Sequence, residues 1–309
     1  MDCSLSCRIV ETPEKTAISI SFDDFVDVAA QSGYDAVCLR ASSWGLGAPA
    51  AELRRMREQV ESRSMYVSMV TADYDVPLNN SDGPNSLCAT PHPDPTPPQG
   101  PRGVGTALLG IGTTRWVGRR TPHASVPLTM ACACSRDIGP SLDVAEAFGC
   151  DLVRVCLKTE ADIAAASAAA DTAAARGIRL VHQCHNDSMF ETVDQILENV
   201  ARINRPNFGV TYEPANLMVG GDGYGSEALA RLAPHIFNVY IQNHKVVGQA
   251  EQTYHYGENG FGKVRDVPYD NLLLWEEGGV DTAAVFEGLR AINYTGTFTI
   301  HRASPGPSS

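Results

Sequence analysis

The chain has 309 residues, 43% hydrophobic and 19% charged, a composition that suits one large globular domain. Its formal charge of −12 argues against a nucleic-acid partner, which needs clustered Lys and Arg, but admits a small anion held by a few local cations. No apolar run approaches the ~20 residues that span a bilayer, and the first residues, Met1 to Arg8, lack a basic-then-apolar signal pattern, so the expectation is a soluble, cytoplasmic protein with no membrane partner.

Along the chain, short β-rich runs alternate with helical stretches. The first strand is expected over 5–11. A helix follows, opened by Ser21, whose side chain can cap near Asp24, and closed at Gly33. Strands are expected at 36–41 and 66–71. Residues 82–137 then break the pattern with Pro, Gly, Thr and Arg and no useful period, and read as a poorly ordered insert rather than an active-site lid. Helical patterning resumes at Pro140, before a strand at 151–157. An Ala-rich helix over 160–176 is announced by Thr159 and Asp162 and ends at Gly177. A strand at 178–184 precedes a helix over 189–203, where Ser188 and Glu191 have capping-box spacing and Phe190, Val193, Ile196, Leu197, Val200 and Ile203 keep a helical period. The last strands fall at 208–213, 236–242 and 297–301.

Eight strands alternating with helices predict a parallel sheet, and at this count closure into a (β/α)8 TIM barrel over 1–309. No GxGxxG run follows the first strand, which weakens a dinucleotide-binding fold. Only eight residues follow His301. The last outer helix is therefore expected to be absent, which leaves room for a homo-oligomeric partner. The nine Cys form no CxxC pair and read as reduced thiols.

In such barrels the chemistry projects from the carboxyl ends of the strands. The first two strands end at Glu11 and Arg40, and the third at Thr71. The fourth carries Arg154 and Lys158; the fifth His182, Gln183 and His185; the sixth Glu213 and Asn216. The seventh carries Tyr240, Gln242, Asn243 and His244, and the eighth His301. Glu213 ends an apolar strand and must find a cation, a metal or donors. Arg154 and Lys158 can bind a substrate anion or pair with Glu213. His182, two residues before its strand end, can equally pack outward under a helix. His185 can simply cap a helix. His255, in the glycine-rich run HYGENGFGK, reads as a loop residue.

Four runs carry a family resemblance. GIRLVHQCHND is similar to a fifth strand commonly written LALENH. PNFGVTYEPANLMVGGD is similar to VGVTLDPGNL with its Gly-Asp turn. APHIFNVYIQNHK is similar to APRIVHVHVKD. GGVDTAAVFEGLRAINYTGTFTIHR is similar to the last helix and strand. In this order they resemble the sugar phosphate isomerase/epimerase family, the xylose isomerase-like barrels, over 5–80 and 138–302. The resemblance implies one divalent ion (Mn, Mg, Co or Zn) held by acids and a His, no organic cofactor, and a pair of proton-transferring glutamates. By motif position, Gln183 stands at the first Glu, Glu213 at the Asp, Tyr240 at the His, Asn243 at the aspartate of the KD pair and His301 at the last Glu.

The expectation is an isomerase or epimerase of a small sugar, sugar phosphate or polyol-derived ketone, working by proton transfer alpha to a carbonyl. Glu213, His301 and His185 are its candidate catalytic groups. Arg154, Lys158, His182, Asn216, Tyr240, Gln242, Asn243 and His244 are candidates for binding a polyhydroxylated substrate, and Glu213, Gln183 and His301 for holding a metal. Two alternatives stay open: a degenerate barrel that binds sugar without turnover, and a dehydratase of a keto-inositol.

Overall fold

The computed structural model describes residues 1–12, 18–72, 138–157, 160, 162–186, 188–250, 253–256 and 265–302. The barrel strands before its seventh connection are β1 (Cys3–Ser6), β2 (Ala36–Arg40), β3 (Tyr66–Thr71), β4 (Leu152–Val155), β5 (Arg179–Gln183), β6 (Phe208–Tyr212) and β7 (Ile236–Ile241). After β7 come three shorter-range strands, β8 (Asn243–Val246), β9 (Thr253–Tyr256) and β10 (Arg265–Leu272), and then β11 (Phe298–Ile300). Strands β1 to β7 and β11 close a barrel in the order β1-β11-β7-β6-β5-β4-β3-β2, every pair parallel. The expected TIM barrel is therefore present.

Among the described residues, seven helices connect consecutive barrel strands: α1 (Phe22–Gln31), α3 (Ala50–Glu61), α4 (Gly139–Phe148), α5 (Asp162–Ala174), α6 (Val193–Ile203), α8 (Ser226–Leu232) and α9 (Thr282–Ala291). Two short ones, α2 (Ala41–Trp44) and α7 (Pro214–Val219), follow directly on β2 and β6. Ser21 caps α1 as its sequence announces, accepting from the Asp24 amide at 3.1 Å. Alanines form most of the buried face of α5 (Ala166, Ala169, Ala170, Ala173), so its backbone lies close to the strands. No helix of the described residues is long and apolar enough to cross a membrane.

Three local expectations change. The first strand is shorter and earlier than 5–11, because Ser6 accepts from the Arg8 amide and turns Cys7–Val10 into a 3-10 helix. Helix α6 starts at Val193 rather than 189, and its capping box is Thr192 with Gln195 rather than Ser188 with Glu191. Ser188 instead holds a tight turn, donating to the His185 carbonyl and accepting from the Phe190 amide. His255 lies in β9, which pairs antiparallel with β10, so the region read as loop contributes a strand to the three-stranded sheet β8-β10-β9. The 82–137 insert, Lys158 and the chain beyond Arg302 lie outside the described residues.

Strand alternation arranges the barrel interior in layers. Low in the barrel, short polar side chains pair with one another: Ser4 Oγ lies 2.8 Å from Ser68 Oγ, and Thr299 donates to Asn238 Oδ1 at 3.2 Å. Two residues further along the same strands stand the large polar groups of the mouth. Thr211 leads to Glu213, Asn238 to Tyr240, and Thr299 to His301.

The cap of α6 gives a direct check. Replacing Thr192 with Ala should lower stability by about 1 kcal/mol in urea unfolding, the usual cost of losing an N-cap acceptor. Replacing Glu191 with Ala should leave the helix start intact in amide exchange, and a loss of α6 protection there would restore the Ser188–Glu191 box.

Candidate active site at the barrel mouth

Glu213 follows directly on β6 and is completely buried. Its Oε2 accepts from the Gln183 amide and from Asn216 Nδ2, the latter at 2.8 Å. Its Oε1 is buried with no hydrogen-bond partner among the described residues. Two donors favour the charged form, while burial opposes it. Burial dominates, and the carboxyl is pushed up to about 8, with Gln183 and Arg154 pulling the other way.

Gln183, at the end of β5, uses both ends of its carboxamide. Its oxygen accepts from Arg154 Nη1 while its nitrogen donates to Glu213. Arg154 (β4), Gln183 (β5) and Glu213 thus form one buried chain across three neighbouring strand ends. Asn216 extends it. Its Nδ2 also donates to the Cys184 carbonyl at 2.8 Å, and its Oδ1 accepts from Tyr254 at 3.3 Å.

His301 stacks on Tyr240, ring centroids 4.0 Å apart and planes at 8°. The Tyr240 hydroxyl meets Cys38 Sγ at 3.6 Å, and burial raises its pKa well above the usual tyrosine range. The sheet β8-β10-β9 covers this side of the mouth with aromatic rings. Tyr254 and Tyr269 stack at 4.4 Å, and Tyr254 meets the rings of both His185 and His244 edge-on at 6.1 and 6.3 Å. A second buried cluster, Glu11 with Arg40 and Arg8, joins the ends of the first two strands. Two guanidinium groups there share one carboxylate.

The remaining candidates are placed as follows. His182 turns to the outer side of β5, its ring stacked on Phe190 at 4.3 Å and its nitrogens 2.6 Å from the Gln183 carbonyl and 3.2 Å from that of Leu157. Asn243 is spent on backbone: it donates to the carbonyls of Leu273 and Glu276 and accepts from Val280, so it ties down the loop after β10. His185 Nδ1 lies 3.0 Å from the Asn186 carbonyl. Gln242 is buried between β7 and β8. The sequence reading missed Tyr254 and Tyr269. For Tyr254 the signal is the alternation Tyr254-His255-Tyr256 ahead of a glycine-rich run; Tyr269 carries no such local signal.

The resemblance implies a divalent metal, and the described residues do not fit one. No group of three His, Cys, Asp or Glu side chains among them lies close enough to hold an ion. The acceptor of Gln183 is already engaged by a guanidinium. A dication about 4 Å from that charge meets repulsion on the order of 8 kcal/mol at an effective dielectric near 20. The set Glu213, Gln183 and His301 therefore carries no metal step below.

The family model for the xylose isomerase-like TIM barrel matches residues 136–307, more than half of the chain. Among curated proteins no sequence matches. Solved structures share the fold at low identity. The probable 3-DHS dehydratase AsbF from Bacillus anthracis is 12% identical with a TM-score of 0.61, over 97% of this chain and 92% of that one. A xylose isomerase domain protein from Planctomyces limnophilus is 16% identical with a TM-score of 0.61, over 97% and 89%. D-psicose 3-epimerase with D-tagatose, from Clostridium cellulolyticum H10, is 12% identical with a TM-score of 0.62, over 99% and 85%.

His244 offers a test of this packing. Both its nitrogens are buried without hydrogen-bond partners among the described residues, and burial lowers its pKa to about 3. The unfolded chain takes up that proton near 6.5 and the folded one does not. The stability contribution is thus full above 6.5 and falls away as pH drops toward 3. At pH 5 the wild type should have lost roughly 2 kcal/mol to this group. His244→Phe should remove that part of the acid sensitivity in denaturant titrations run from pH 7 to 4.

Proposed function

Because the chain belongs to the xylose isomerase-like TIM barrel family, we propose that it is an isomerase or epimerase that moves a proton alpha to a carbonyl of a small polyhydroxylated ketone or aldose. The observation that carries this reading is Glu213. It is a buried carboxyl with one oxygen unpartnered among the described residues, at the strand ends where barrels of this kind do their chemistry. Its pKa is raised toward neutrality, where a group can both take and return a proton.

In this reading the ionised form of Glu213, whose share grows as pH rises toward 8, removes the proton from the carbon beside the carbonyl through Oε1. The C–H electron pair passes into the new C=C bond, and the carbonyl oxygen becomes an enediolate oxygen. The Arg154 guanidinium supplies positive charge beside it. His301, held face to face with Tyr240, is the second proton-transferring group and returns a proton to carbon or oxygen. His185 borders the site through Tyr254. The aromatic sheet β8-β10-β9 keeps bulk water from the intermediate. The relation to an epimerase solved with the ketose D-tagatose supports a ketose as substrate class.

A second reading, a barrel that binds sugar without turning it over, draws on Gln183, an amide where the resemblance expects a proton-transferring acid.

The experiment is solvent exchange. Ketoses and keto-inositols incubated with the protein in D2O should gain deuterium at the carbon alpha to the carbonyl. Glu213→Gln, with fold checked by circular dichroism, should slow that exchange by about 10²–10⁴. Saturable ligand binding with no exchange into any candidate would replace this proposal with the binding-only barrel, and a dehydrated product would replace it with a lyase.

A further inference from the structure

We infer that Gln183 is a positioning residue that fills the would-be metal position with the guanidinium of Arg154, and so keeps divalent cations out of this barrel. The inference rests on the proposed site but not on its turnover.

Arg154 can only donate, and Glu213 Oε2 accepts from amide donors. A group that bridges both must accept on one side and donate on the other. A primary amide does this with a single short side chain, and Gln183 is placed to do so, its oxygen on Arg154 and its nitrogen on Glu213. A Glu at 183 would satisfy Arg154 but would set a second carboxylate against Glu213. That pair is the arrangement a dication relieves. The amide removes the demand for a metal, and the guanidinium supplies a cation in its place. The remaining neighbour, Asn216, is again an amide that donates to Glu213 Oε2. Among the described residues the carboxyl is thus held by two amide donors, with no second acid grouped beside it.

The inference predicts that the substitutions can be reversed. Removing the guanidinium and restoring the acid should create a divalent site from Glu213 and the new carboxylate. The test is a Mn²⁺ titration of the purified full chain followed by EPR, which reads free ion and needs no substrate. Wild-type protein should show no stoichiometric binding. The double variant Arg154→Met with Gln183→Glu should bind Mn²⁺ at least about tenfold more tightly. Gln183→Glu alone should gain much less, because the new carboxylate pairs with Arg154. If the double variant fails to fold, Arg154→Gln, which removes the charge and keeps a donor, should still bind Mn²⁺ more tightly than wild type.

One tightly held Mn²⁺ per wild-type chain would overturn the inference, and so would folded variants that bind no better than wild type. Failure of proton exchange in the earlier experiment would leave this result standing, and the reverse also holds, so the two claims fail separately.

Discussion

The mouth of this barrel is organised around one buried carboxyl. Leaving an ionised carboxylate without partners in a low-dielectric interior costs several kcal/mol, so a protein that places one there must supply donors or let it stay neutral. Glu213 shows both responses. One oxygen is held by Gln183 and Asn216, the other by nothing among the described residues. The net effect is a carboxyl pushed up to about 8 rather than a permanently charged one. Arg154 favours the charged form through its nearby positive charge, and bonds to the same Gln183 amide that holds the carboxyl.

The fold serves this arrangement through simple periodicity. Short polar residues fill the barrel lower down and bond to one another, and the next inward position on each strand carries the larger mouth group. Because β4, β5 and β6 are neighbours in the closed sheet, their ends bring Arg154, Gln183 and Glu213 into line without any long-range loop. The small sheet β8-β10-β9 adds the aromatic cover, and Asn216 ties that cover to the carboxyl through Tyr254.

The barrel itself was legible from the chain, since eight β-rich runs, the Ser21 cap and the Ala-rich helix all leave local marks. The errors are also physical. Ser188 and Glu191 have the spacing of a capping box, but Thr192 and Gln195 have it too, and spacing alone does not rank them. The sheet that covers the mouth includes two four-residue strands, β8 and β9, and a glycine-rich run after β9, so its pairing is decided by tertiary contact rather than local pattern. Strand-end logic brought Arg154, Gln183 and Glu213 to the same mouth. It did not reveal that they bond in series, nor that Asn243 is consumed by backbone and His182 by the outer face of β5. For His182 the chain left the outer face of β5 open as one of two readings, and which side chain faces which is decided only by packing.

The resemblance implies a dication; among the described residues the mouth instead holds a guanidinium, an amide and a carboxyl in series. The central claim is that Glu213 is held near neutrality by burial against that chain. Isotope-edited infrared difference spectroscopy, comparing wild type with Glu213→Gln across a pH series, reads its protonation directly. The account predicts a neutral carboxylic acid at pH 7 that ionises at about 8. A Glu213 signal already fully ionised in the ordinary carboxylate range would contradict it.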